Sequence, residues 1–193
     1  MKRLLGMCPA VALIAAALST APPAHAAVTI DCSAGPVSLT SSTEDYVLTG
    51  ACSNVTITAS NVTVALAGAA RMDISGANVA VTSSGPINAL VLTDAVSTVS
   101  APLTHSATIS SSNVELRIAT LDSLKIKGAN NSVKTTTGSV ATVRGANNRL
   151  TYTRLGVLVI KGPNNFAKVR KGATTVTVQG ANNVVRVHKR LKP

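Results

Sequence analysis

IKGANN at residues 126–131 returns as VRGANN at 143–148, IKGPNN at 160–165 and VQGANN at 178–183. Each copy opens on an apolar residue and closes on two asparagines. The glycines, Gly128, Gly145, Gly162 and Gly180, are spaced by 17, 17 and 18 residues. Walking backward by the same step lands on Ser111, Thr93, Gly76 and Ala59, and three of these four lie two residues before an asparagine: Asn113, Asn78 and Asn61. A fixed period of this kind is the signature of a solenoid. It runs as about eight coils of 17–18 residues, and only the segment from Ala27 to about Ser53 stands outside it.

Inside each unit the apolar residues alternate, as at Ile126, Val143, Ile160 and Val178 before the glycines and Val133, Leu150 and Val185 after them. Alternation with β-branched enrichment predicts strands. Units of this length have no room for a helical crossover, so each strand stacks parallel on its own copy one coil away. The expected fold is all-β: a single-stranded parallel β-helix rising by about 4.8 Å per coil. Steps of 17 do not divide by six, and apolar residues do not recur at every sixth position, which favours a right-handed helix over the left-handed triangular form.

Measured from the glycine, the second asparagine takes the inward place that Val79 holds in an earlier unit. Asn131, Asn148, Asn165 and Asn183 are therefore expected to form an internal ladder, each amide bonding to the next coil and to turn backbone that is otherwise buried unpaired. The glycine is expected to supply a backbone shape that a Cβ resists. The N-x-Ser/Thr triplets at Asn54, Asn61 and Asn130 match a glycosylation acceptor, but the repeat and its turn chemistry account for them.

The chain begins with Lys2 and Arg3, an apolar run from Val11 to Leu18, and Ala24-His25-Ala26. This reads as a secretory signal peptide cleaved after Ala26. Cys8 precedes the apolar run, which argues against a lipid anchor, and it leaves with the signal. Cys32 and Cys52 remain in a compartment where disulfides persist, so they are expected to bond and pin an N-terminal cap, residues 27–58, ahead of repeats over 59–187 and a basic tail over 188–193.

The stretches IDCSAGPVSL (30–39) and YVLTGACSNVTI (46–57), followed by serial G-x-N-N-x-V units, resemble a family of secreted or envelope-associated bacterial domains of unknown function. Its members carry an N-terminal cysteine pair and repeated G-S-N-N-x-V coils, and the similarity spans roughly residues 28 to 188. The resemblance implies a β-helix in the envelope and brings no activity with it. Between about Ser83 and Ser112 the glycine and double asparagine are lost, so a bulge or a loop is expected there.

Charge is the feature that the fold does not require. From Lys125 onward there are fourteen Lys or Arg and no Asp or Glu, whereas the earlier part of the mature chain holds Arg71 and Arg117 against seven acidic residues. Lys127, Arg144 and Lys161 each precede a motif glycine. Lys134, Lys168 and Arg186 share another column, interrupted by Thr151. Stacked like charges repel, so these columns read either as a solvated guard on the sheet edge or as a surface for anionic envelope glycans and lipids, such as lipopolysaccharide phosphates or acidic polysaccharide. One Phe, two Tyr and no Trp leave little for base stacking, which argues against sequence-specific nucleic-acid binding.

β-Helices also serve as polysaccharide lyases and hydrolases, so a carbohydrate-active enzyme is the rival class. Glycoside hydrolysis needs two carboxyl groups at one bond, and Asp31, Glu44, Asp45, Asp73, Asp94, Glu115 and Asp122 are scattered apart from the neighbours Glu44 and Asp45. His105 and His188 suggest no metal site, and ice binding would require a Thr column that is not present. The expectation is a non-enzymatic secreted module, periplasmic or extracellular, with no cofactor, metal or mature membrane span and with stacking of copies end to end as an option.

Overall fold

The computed structural model describes residues 26–93 and 96–192, so the segment read as a signal peptide, up to residue 25 and with Cys8, lies outside the described residues, as does Asp94. The chain is a parallel β-solenoid. Its strands are β1 (Val28–Asp31), β2 (Val37–Leu39), β3 (Asp45–Thr49), β4 (Cys52–Ile57), β5 (Val62–Leu66), β6 (Ala69–Ile74), β7 (Val79–Ser83), β8 (Ile87–Leu92), β9 (Ser97–Ile109), β10 (Glu115–Ile126), β11 (Ser132–Val143), β12 (Arg149–Ile160), β13 (Phe166–Val178) and β14 (Val184–Leu191). A 3-10 turn, Cys32–Ala34, follows β1.

Two parallel stacks run along the axis. One joins β1, β3, β5, β7 and then β9 to β14; the other joins β2, β4, β6 and β8 to the second half of β9. Early coils split the two arms with glycine turns, at Gly50 (φ 75°) and Gly68 (φ 151°). From β9 onward one long strand serves both arms and turns its corner by placing two successive residues outward, as Ala119 and Thr120 do between buried Ile118 and Leu121.

The described strands make ten coils, against the eight expected. The difference lies at the N-terminus. Val28 pairs with Tyr46 and Val37 with Val55, so the segment read as a separate cap forms the first two coils. The Cys32–Cys52 disulfide is present, with its Cα atoms 4.7 Å apart, and ties the first coil to the second. The residues read as a basic tail are also solenoid: Lys189, Arg190 and Leu191 pair with Ala173, Thr174 and Thr175.

Among the described residues the strands of the middle coils pair with their neighbours where a bulge or a loop was expected. β7 and β8 pair with β9 in register, because Ser97, Val99, Ala101, Thr104, Ala107 and Ile109 keep the inward pattern without the motif. Thr93 stands one place before the glycine column, since Val91 and Leu92 pair with Asp73 and Ile74 and the Thr93 N–H donates to the Ile74 carbonyl. The register shifts fall late instead, between Tyr152 and Val157 and between Val169 and Ala173, where Gly172 takes φ 80°.

Each residue of the repeated motif has a distinct role. The second asparagine is the ladder: Asn131, Asn148 and Asn165 are each 1% exposed. The Asn148 side chain accepts from the Asn131 N–H at 3.0 Å and donates to the Gly128 carbonyl at 3.1 Å. Asn165 does the same for the Asn148 N–H at 2.9 Å and the Gly145 carbonyl at 3.0 Å. At the top of the ladder Asn131 accepts from the Val114 N–H at 2.8 Å, which places it over the inward column of Val114. Asn183 completes the ladder but is only half-buried, because it sits in the last coil.

The unusual backbone shape expected of the glycine falls on the first asparagine. Asn61, Asn78, Asn113, Asn130, Asn147, Asn164 and Asn182 all have φ between 54° and 61°, the left-handed region that asparagine tolerates better than most residues. The glycine serves close approach: a Cβ on Gly128 would overlap the carbonyl of Ser111 one coil away, and a Cβ on Gly145 the carbonyl of Gly128. Among the motif glycines only Gly180, at φ 99°, also needs the left-handed backbone.

Replacing Asn148 by Ala orphans a buried N–H and a buried carbonyl, at about 1–3 kcal/mol each. We therefore expect Asn148→Ala to destabilise by about 2–5 kcal/mol, and Asn183→Ala by about 1 kcal/mol because water reaches the last coil; urea unfolding compares the two. Reduction of Cys32–Cys52, which closes a loop with sequence separation 20, should lower stability by about 3 kcal/mol in the same assay.

Candidate anion-binding face

The strands of the last five coils carry their outward residues in register. Arg117 pairs with Lys134, Lys134 with Thr151, Thr151 with Lys168 and Lys168 with Arg186. The expected column of Lys134, Lys168 and Arg186 thus exists and extends by one coil to Arg117. Adjacent strands lie about 4.8 Å apart, and Thr151 keeps Lys134 and Lys168 two coils apart, which relieves their repulsion.

Two flanking columns complete the face. On one side Glu115, Ser132, Arg149, Phe166 and Val184 stack in order. Arg117 holds Glu115 at 2.8 Å, and the Arg149 guanidinium lies 4.6 Å from the centre of the Phe166 ring, with that of Arg186 at 5.9 Å. Cation–π contacts of this kind orient an exposed guanidinium without neutralising it. On the other side stand Thr136, Thr153 and Arg170, and between the columns lies a shallow groove of about 250 Å³ lined by Arg117, Lys134, Arg170, Thr136, Thr151 and Thr153. Cationic groups beside rows of hydroxyl donors on a rigid sheet match the oxygens of a phosphate, sulfate or carboxylate.

Lys127, Arg144 and Lys161 are also stacked: their N–H groups donate in turn to the carbonyls of Ile109, Ile126 and Val143, and all three are exposed. They stand at the turn that leaves each coil and do not line the groove, so the two charge columns occupy different parts of the surface. Arg117, Arg149 and Arg170 went unread in the sequence. Arg117 could have been found by stepping 17 residues back from Lys134, and Arg170 by the strand alternation from Lys168.

Tyr152 packs behind the face. It is 1% exposed, and its ring occupies the space where a Cβ on Gly138 would come within 2.6 Å of Cε1. Its hydroxyl has no hydrogen-bond partner in the protein; neither has that of Thr135, its partner in register. Burial pushes the Tyr152 phenol well above its ordinary range.

Elsewhere the ionisable groups are dispersed. Arg71 grips Asp73 with two bonds of 2.7 Å, and His105 meets Asp122, one coil on, at 2.8 Å. Asp122 stands 17 residues from His105 in the chain, and the solenoid turns that distance into adjacency. Ser139 follows Asp122 in the same column, on the side away from His105, so the three do not form a serine–histidine–aspartate relay. No three metal-ligating side chains come together among the described residues, and no helix among them is long and apolar enough to cross a membrane.

No protein-family model, no curated protein and no solved structure matches the chain.

Because the Tyr152 hydroxyl is buried without a partner, Tyr152→Phe should be neutral or stabilising by up to about 1 kcal/mol. Gly138→Ala should destabilise by about 1–3 kcal/mol through the same ring. Thermal unfolding of the two variants beside the wild type checks both signs.

Proposed function

We propose that this β-solenoid is a non-enzymatic module of a bacterial cell envelope or exterior that binds anionic polymers through the outward face of its last five coils. The observation that carries this reading is the in-register column Arg117, Lys134, Lys168 and Arg186, beside a groove lined by Arg117, Lys134, Arg170 and several threonine hydroxyls. A polymer with an anionic group on each repeat presents charges at regular intervals, and the solenoid presents cations at intervals set by the coil spacing. Lipopolysaccharide and acidic polysaccharide are the fitting classes. The Cys32–Cys52 disulfide is compatible with export to an oxidising compartment.

The placement of the carboxylates supports a binding role over a catalytic one. Asp73 and Glu115 are each held by an arginine two residues away, Asp122 by His105, and Asp31 accepts from the Ser33 N–H at 2.9 Å. Hydrolysis by paired carboxyl groups needs two that converge on one bond, and these four are engaged at separate places on the surface.

The test is retention on immobilised lipopolysaccharide and on heparin at rising salt. A face variant, Lys134→Gln with Lys168→Gln and Arg170→Gln, should bind about tenfold more weakly than wild type. A turn variant with the same loss of charge, Lys127→Gln with Arg144→Gln and Lys161→Gln, should lose much less. Equal losses in the two variants would reduce the interaction to net charge and remove the face as a site.

A further inference from the structure

The two ends of the solenoid are built differently and fit each other. One inward column runs without a break through ten residues: Val28, Tyr46, Val64, Val81, Val99, Leu116, Val133, Leu150, Ala167 and Val185. Its interior members are covered by neighbours on both sides, whereas its terminal members are not. Val28 is 38% exposed, and Val185 is only partly buried against the core. The next inward position repeats this, with Ile30 over Leu48 at one end and Val187 over Val169 at the other, both partly buried. Among the described residues both ends therefore show an apolar pair in the same two columns, beside a strand edge paired on one side only.

Charge selects which ends can meet. From Ala27 to Ala70 the ionisable side chains are Asp31, Glu44, Asp45 and Tyr46, with no basic residue. From Val184 to Lys192 they are Arg186, His188, Lys189, Arg190 and Lys192, with no acidic one. Two C-terminal ends brought together would face four lysines or arginines with four more, and two N-terminal ends would face carboxylates with carboxylates. Like-charge juxtaposition is a strong penalty, while the mixed pairing is attractive.

We propose that the β14 edge receives the β1 edge of a second copy of this chain, so that molecules stack head to tail with Val185 against Val28 and Val187 against Ile30. The backbone N–H and C=O groups left open on β14 are then paired as they are between coils within one molecule. The Asn183 N–H also faces outward along the axis, where each earlier ladder asparagine donates to the coil that follows. A head-to-tail contact uses different surfaces on its two partners and does not close by two-fold symmetry, so it generates an open chain of molecules. This inference rests on the open strand edges and the opposite charge of the two ends and not on polymer binding; Arg186 is the cation that the binding face and the C-terminal end share.

Sedimentation velocity on the protein expressed from its full chain and recovered after export gives the test. The wild type should show masses above a dimer that grow with concentration and shrink as salt is raised. Val28→Asp and Val187→Asp, each blocking one end, should both run as monomers. Mixed together they should form a dimer and nothing larger, because one free end of each kind remains. Lys189→Glu with Arg190→Glu, at exposed positions, should also be monomeric, and circular dichroism confirms that each variant keeps its sheet. A wild type that stays monomeric at every concentration, association that survives Val28→Asp, or a mixture that stays monomeric would each overturn the proposal.

Discussion

Backbone hydrogen bonding from coil to coil is the constraint on which the rest of this protein depends. Within the strands the parallel ladder satisfies it without help from side chains. At the turn that leaves each coil the backbone points into the interior, where an unpaired N–H or carbonyl has no access to water. The four late turns meet that need with a side-chain amide that accepts from an N–H and donates to a carbonyl of the turn before it, buried at Asn131, Asn148 and Asn165 and half-buried at Asn183. The same constraint accounts for the neighbouring residues: the turn can be this tight only if the glycine lets two coils approach and the first asparagine accepts a left-handed backbone. Three different requirements, on packing, on conformation and on hydrogen bonding, produce one repeated hexapeptide. Early coils reach the same register with Val62, Val79 and Val114 in the ladder column, so the amide ladder is one solution among two within a single chain.

Register has a second consequence on the outside. Because each coil copies the position of its neighbour, a cation placed at one outward site has companions one and two strand spacings away. The face tolerates this through spacers and partners: Thr151 separates two lysines, Glu115 neutralises part of Arg117, and Phe166 takes the guanidinium of Arg149 over its ring. The remaining charges stand on a sheet that cannot rearrange to relieve them. Water and salt screen such an exposed array, and an anionic polymer can take the place of those counterions, which is why the face is the functional candidate on this surface.

A solenoid is stabilised by contacts between nearest coils, so its two terminal coils are its weakest. Here they are treated unequally. The first coil is tied to the second by Cys32–Cys52, and Cys32, Val37 and Leu39 are buried within it. The last coil has no such tie, its Val185 and Val187 remain partly uncovered, and Val184 and Leu191 are 46% and 42% exposed. Its charges keep it from pairing with its own kind. That asymmetry, together with the opposite charge of the two ends, gives the molecule a direction.

The sequence by itself determined the fold class, the coil length and the inward column of Asn131, Asn148, Asn165 and Asn183, because periodicity is a property of the chain and a column is a consequence of periodicity. It also pointed to the Cys32–Cys52 disulfide, which the structure holds. The tertiary structure alone decided the number of coils: the first two keep the register through hydrophobic alternation without the motif, and a motif search does not see them. It alone decided that Gly128 and Gly145 serve close approach while Asn130 and Asn147 carry the left-handed backbone, because the obstruction is a carbonyl 17 residues away in the chain. It alone divided the cations between a turn edge and a groove, brought Arg117 and Arg170 together with Lys134, and set Arg149 over Phe166. Sequence spacing tells which residues share a column; which columns stand side by side depends on where the strand turns its corners, and that is decided by packing across the coil.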